Sequence, residues 1–216
     1  MKTVRLTLHH TAETVHPMHR FVADSDAFDS YRMVHGSVSD DEEHAFIFHV
    51  VGDADSYESA LTAFGGVTSY ELTRLNEQAF SVYVRDAPDD IGTQLLDTFS
   101  QGSLVSLPPL AYRSDWSVRF SIVGESADLQ QALADVPEGI TAVVEEVGEY
   151  DGSDGAVAVL TTRQREALEV AREIGYFDVP RSAGVADVAA ELGCAPGTAA
   201  EHLRKAEAAV VSELEL

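Results

Sequence analysis

LTTRQREALEVAREIGYFDVPRSAGVADVAAELGCAPGTAAEHLRKAE, residues 160–207, carries three helical periodicities separated by tight punctuation. Thr161 precedes Gln164 by three positions, a capping-box spacing. It predicts a helix over residues 162–174, with Leu168, Ala171 and Ile174 inward and Gly175 as its stop. Residues 176–181 form a connector with two aromatics and a proline. Residues 185–192 predict a short second helix that buries Val185, Val188, Ala189 and Leu192. Gly193-Cys194-Ala195 is then a three-residue turn, and Pro196 suits a first helical position. The third helix follows, burying Ala199, Leu203, Ala206 and Val210.

A short helix, a three-residue turn containing glycine and a longer helix make a helix-turn-helix. The turn sets the two helices at a steep angle, so that one braces the DNA backbone and the other enters the major groove. Gly193 tolerates the positive φ of such a turn, and small Ala189 lets the helices approach closely. The outward positions of the third helix are Gly197, Thr198, Glu201, Arg204 and Lys205. Thr198 suits a phosphate or a thymine methyl, Glu201 the amine of cytosine, and Arg204 and Lys205 phosphate or guanine. Arg181, Arg163 and Arg165 are further phosphate-binding candidates. The plainer reading of all these charges is a solvated helix face.

The run resembles the HTH bat-type domain of haloarchaeal regulators similar to the bacterio-opsin activator. The resemblance rests on LTxRQxE before the first helix, GYFxxPR in the connector, and VAxxLG and EHLRxAE on either side of the turn, and it covers residues 160–214. It implies a cytoplasmic DNA-binding regulator from a salt-adapted archaeon. Relatives often enter the third helix through Ser-Pro-Thr, whereas this chain has Ala195-Pro196-Gly197-Thr198. Gly197 has no side chain to read a base, so base specificity does not transfer with the resemblance.

Charge points the same way independently. The 216 residues hold 37 acidic and 14 basic groups, a formal net charge of −23, and lysine occurs only at Lys2 and Lys205. An acidic surface repels phosphate and argues against nucleic acid. It also fits a chain adapted to concentrated salt, where carboxylates stay hydrated and their repulsion is screened. Residues 1–155 carry 8 basic and 27 acidic groups, and residues 156–216 carry 6 and 10. The C-terminal quarter is therefore the least hostile place for DNA. No apolar run is long enough for a membrane helix, and the first ten residues lack a signal-peptide pattern, so a cytoplasmic protein is expected. The single cysteine, Cys194, excludes an internal disulfide and a cysteine-based zinc finger.

Ahead of a small, polar, glycine-rich linker at residues 150–155, strand and helix patterns alternate. Strands are expected at Val4–Leu8, 30–38, 44–51 and 68–75, and helices at 17–25 and 56–64. The order βαββαβ then recurs, with strands around 80–84, 104–112, 116–123 and 141–147 and helices at 91–99 and 128–136. Val51-Gly52 followed by Ala60-Leu61 is echoed by Val123-Gly124 followed by Ala132-Leu133. The expected fold is α+β: two tandem ferredoxin-like units, residues 1–77 and 78–149, then an all-α helix-turn-helix domain. Leu107-Pro108-Pro109-Leu110 is expected to make a bulge or an edge.

Seven of the eight histidines lie between His9 and His49. His16 and His19 share a helix face, and within one ferredoxin-like unit His9 or His10 would approach His44 or His49. A metal-sensing site from His9, His10, His16, His19 and His49 is therefore weighed. Polar surface histidines in a lysine-poor chain are the plainer reading, since no tight ligand motif is present. The acidic run at residues 39–43 reads as a hydrated turn, and Cys194 as a small half-buried residue in the helix-turn-helix turn. No phosphate loop, nucleophile elbow or catalytic dyad is found, and no cofactor is expected.

The leading expectation is a homodimeric transcription regulator on double-stranded DNA. Its N-terminal domain would dimerise, sense a small molecule or contact another transcription protein. The alternatives are an adaptor that does not touch DNA and a histidine-based metal sensor or enzyme.

Overall fold

The computed structural model describes residues 1–37, 44–86, 90–150 and 160–213. The expected turn at 39–43 and residues 151–155 of the expected linker lie outside the described residues. Two compact units divide the chain, Met1–Asp151 and Gly152–Leu216.

The first unit runs β1 (Lys2–His10), α1 (Pro17–Ala23), β2 (Phe28–Ser37), β3 (His44–Gly52), α2 (Ala54–Ala63) and β4 (Val67–Arg74). It continues β5 (Ala79–Asp86), α3 (Asp90–Ser100), β6 (Val105–Tyr112), β7 (Ser117–Gly124), α4 (Ser126–Ala134) and β8 (Ile140–Glu149). Local chemistry starts the helices. His16 accepts a hydrogen bond from the Met18 amide ahead of Pro17, and Asp53 accepts one from the Ser56 amide at 2.7 Å. The echoed glycines end β3 and β7, each leading into a helix. A Cβ at Gly52 would lie 2.5 Å from the Ala27 carbonyl oxygen, so only glycine fits there.

The eight strands make one antiparallel sheet in the order β4-β5-β3-β2-β6-β7-β1-β8. This corrects the expected division into separate units at residues 77 and 78. β1 does not join β2, β3 and β4; it pairs with β7 and β8. β5 instead fills the place between β3 and β4. Local periodicity fixes each strand's faces, but its neighbour is chosen by distant pairing that no window of sequence contains. The proline pair of β6 does produce a register shift, between Leu107 and Ala111, and it lies inside the sheet, not at its edge.

Alternating side chains of the sheet are buried in two separate cores. Val4, Leu6 and Leu8 of β1 pack with Val118, Phe120 and Ile122 of β7, with Phe99 of α3 and with Leu129 and Ala132 of α4. Val50, Phe80, Val82 and Val84 of β3 and β5 pack with Met18 and Val22 of α1 and Tyr57 and Leu61 of α2. The chain thus passes from β1 in one core to α1 in the other, and from β5 to α3 it crosses back.

The second unit holds α5 (Thr162–Glu173), α6 (Val185–Leu192) and α7 (Pro196–Glu213). Thr161 and Gln164 form the expected capping box, each side chain bonding the other residue's backbone amide. Ala167, Ala171, Val188, Ala189, Ala199 and Leu203 form its core. Four of those six are alanines, which bring the helix axes close at little side-chain entropy cost. Among the described residues, no helix is long and apolar enough to cross a membrane.

Candidate DNA-binding surface

The turn between α6 and α7 follows from glycine's freedom. Gly193 adopts φ 63° and ψ 35°, the left-handed conformation, and its amide bonds back to α6 carbonyls. The Cys194 amide donates to the Ala189 carbonyl at 3.0 Å, and the Ala199 amide to that of Ala195 at 3.1 Å. Asp187 reaches back to the Gly184 amide at 2.8 Å and secures the start of α6. Cys194 is half-buried against the core, as expected of a packing residue.

Burial then decides which face of α7 is offered. Ala199, Leu203 and Ala206 are buried, while Gly197, Thr198, Glu201, Arg204 and Lys205 are exposed. Val210, expected inward, is only half-buried. A Cβ added at Gly197 would meet nothing within 4 Å, so the first turn of α7 is open to an approaching surface. Lys205 Nζ lies 2.7 Å from Glu201 Oε1, one helical turn away. That hydrogen bond, together with the lysine charge, holds the Glu201 carboxyl below the usual range. An exposed pair of this kind holds only weakly against solvent, so either partner is available to another ligand.

The remaining candidates are set differently. Arg163 is exposed and bridges to Glu166 at 2.7 Å, and Arg165 is half-buried on the same helix. Arg181 sits over the Tyr176 ring at 4.9 Å from its centre, a cation–π contact that orients the guanidinium. The two lie five positions apart in the connector, outside any helix, so periodicity could not find this contact. The GYFxxPR motif was its only signal.

The histidines are not arranged as expected. β2, β6 and β7 separate β1 from β3, so His9 and His10 lie on a strand that does not neighbour the one carrying His44 and His49. The expected approach required β1 and β3 to be neighbours, and the exchange of β1 removes it. His10 and His19 do come together, with ring centres 6.5 Å apart, and His16 Nε2 lies 3.9 Å from Asp86. Among the described residues, no group of three or more His, Cys, Asp or Glu is placed to hold a metal ion.

A trihelical unit with a glycine turn and an exposed, partly basic third helix defines a helix-turn-helix protein, and residues 160–212 match the family model of an HTH DNA binding domain. Residues 16–150 match a second model, the N-terminal domain HVO_0513_N, and the chain belongs to that family, among the haloarchaeal HTH bat-type regulators. Two curated proteins of Haloferax volcanii are similar to it. One, named transcriptional regulator NarO, is 46% identical over 55 residues, which are 26% of this chain and 26% of that protein. The other, a putative transcriptional regulator, is 50% identical over 48 residues, 22% of this chain and 8% of its own length. The chain therefore matches about a quarter or less of either relative.

Proposed function

We propose that this protein is a sequence-specific transcription regulator that inserts the N-terminal half of α7 into the major groove of DNA. The observation that carries the reading is the division of α7 by burial, which leaves Thr198, Glu201, Arg204 and Lys205 outward from a helix fixed by its core. Arg204 and Lys205 bind phosphate or guanine, Thr198 a phosphate or thymine methyl, and Glu201 the cytosine amine. Gly197 allows close backbone approach. Arg163, Arg165 and Arg181 steady the domain on phosphates. The names of the Haloferax relatives support regulation of transcription as the setting. The protein works in the cytoplasm as a homodimer whose two helices meet half-sites about 34 Å apart or a multiple of that.

The sheet domain supplies dimer contacts and receives a signal. It is best read as two ferredoxin-like halves that have exchanged their first strands. The orders β4-β5-β3-β2 and β8-β1-β7-β6 support this, since each is that of a βαββαβ unit with its leading strand taken from the other half.

The experiment is genome-wide chromatin immunoprecipitation of the tagged chain beside its Arg204→Ala/Lys205→Ala variant in a halophilic host. Discrete peaks that vanish in the variant are expected. Peaks that persist unchanged would show recruitment by another protein and sink the reading.

A further inference from the structure

The two cores of the sheet domain touch through Tyr112, which packs against both. Between them lies a cavity of about 480 Å³, lined from both sides, with Leu8, Phe99 and Phe120 of one core and Met18, Tyr31 and Tyr57 of the other among its walls. It sits at the seam of the sheet, where β2 and β6 pair through three residues only, Tyr31↔Tyr112, Arg32↔Ala111 and Met33↔Leu110. Tyr31, Met33, Leu110 and Tyr112 all face it. Protein interiors are normally packed to crystal density, and a hollow of this size falls within the range of small-molecule sites, about 300–1,000 Å³.

Its walls describe what it accepts. Tyr31 stacks on Phe48 at 4.9 Å, and Tyr112 closes on both at 5.0 and 5.9 Å, forming one continuous aromatic surface. Opposite, Ile91, Leu95 and Leu96 of α3 line the hollow. They remain only half-buried although they belong to that helix's apolar face. Ile91 and Leu95 pack in part against the first core, and the rest of the stripe keeps apolar surface exposed. A ligand against it would bury that remainder. Among the described residues, the titratable lining is His10, His16, His19, Asp86 and the three tyrosines Tyr31, Tyr57 and Tyr112, with no lysine or arginine. A carboxylate or phosphate would therefore meet a carboxylate and no fixed cation, inside a chain of net charge −23. The polar atoms that remain, imidazoles and tyrosine hydroxyls, suit one or two hydrogen bonds from a neutral molecule.

We propose that this cavity is a binding site for a single uncharged, mostly apolar small molecule of aromatic-ring dimensions, seated between the Tyr31–Phe48–Tyr112 wall and α3. The proposal rests on the reading of the chain as a regulator only for its purpose, the reception of a signal, and binding is measured without DNA.

The full chain in molar KCl is titrated with N-phenyl-1-naphthylamine and, separately, with 8-anilinonaphthalene-1-sulfonate, which has the same aromatic body and an added sulfonate. The neutral probe is expected to bind one per chain, with energy transfer from Trp116, the only tryptophan, which packs beneath Arg20 of α1. The sulfonated probe is expected to bind at least tenfold more weakly, and Asp86→Asn to narrow that gap. Leu95→Phe and Ile91→Phe, made separately, reduce the cavity and are each expected to weaken the neutral probe at least fivefold. If one variant fails to fold by circular dichroism, the other decides. Equal binding of the two probes, more than one neutral probe per chain without energy transfer, or unchanged affinity in a folded cavity variant overturns the site. Loss of probe binding with intact chromatin peaks removes the pocket and leaves the DNA reading standing. Probe binding without peaks does the reverse.

Discussion

Acidification will weaken the sheet domain through one residue, His19. Its side chain is 2% exposed, and Nε2 lies 2.9 Å from the Arg113 carbonyl oxygen, to which the neutral ring donates. The ring edge also meets Tyr112 at 5.0 Å. Burial is the largest influence and pushes the pKa from 6.5 down to about 4; His10 and His16 push the same way, against the Arg113 carbonyl and Asp115. Above pH 6.5 the imidazole is neutral in both folded and unfolded chains, and its full contribution to stability is present. Between 6.5 and about 4 only the unfolded chain takes up the proton, so stability falls as pH falls. At about 1.4 kcal/mol per pH unit, the loss levels off near about 3 kcal/mol. Carboxylates held low, such as Asp115 by the Ser117 hydroxyl and amide, begin to lose their own contribution only toward the acid end of that window. The assay is urea unfolding followed by Trp116 fluorescence at fixed KCl, in the native chain and in His19→Gln, which keeps a donor for Arg113 but does not titrate. The difference between the two should shrink by about 3 kcal/mol across the window. Because the effect is desolvation, high salt should leave it in place. Parallel pH curves for the two proteins would refute the reasoning.

Three other outcomes are expected. Leu203→Ala empties the core between α5, α6 and α7 and should cost the helical domain about 2–5 kcal/mol, read as a lower thermal midpoint of that domain by circular dichroism. Gly193→Val should cost about 1–2 kcal/mol from the left-handed backbone alone, because a side chain there meets nothing within 4 Å; Gly193→Asn, which tolerates that conformation, should cost clearly less in the same melt. DNA affinity in the molar KCl range should fall only weakly with salt, since cations taken up between the acidic protein and phosphate offset those released; a steep loss, with a slope near the about −0.9 per phosphate of ordinary counterion release, would contradict this.

How much of this was legible in the sequence varied with the range of the interaction. α6 was expected over residues 185–192 and forms Val185–Leu192, because Gly184, Gly193 and the spacing of Val188 and Ala189 are all local signals. The twofold βαββαβ order was equally local. The position of β1 was not, since Val4, Leu6 and Leu8 would suit either half of the sheet and only the completed pairing with β7 and β8 decides. The histidine geometry failed with that strand, as His9 and His10 travel on it. The outward face of α7 was read correctly from its period, apart from the shallower Val210. The aromatic hollow had no sequence signature, because it is a gap between two cores and each core looks complete in its own pattern.

The crossing of β1 and β5 has a consequence for dissection of the chain. A cut between β4 and β5 yields two pieces of the same βαββαβ order, each of which gives its first strand to the other's part of the sheet. Each piece carries the strand the other lacks. Expressed alone, either must take its own first strand into the vacant place or display a gap flanked by unpaired strand edges, a template for sticking to other chains. Expressed together, the two should find each other and restore the sheet, each lending its first strand to the other.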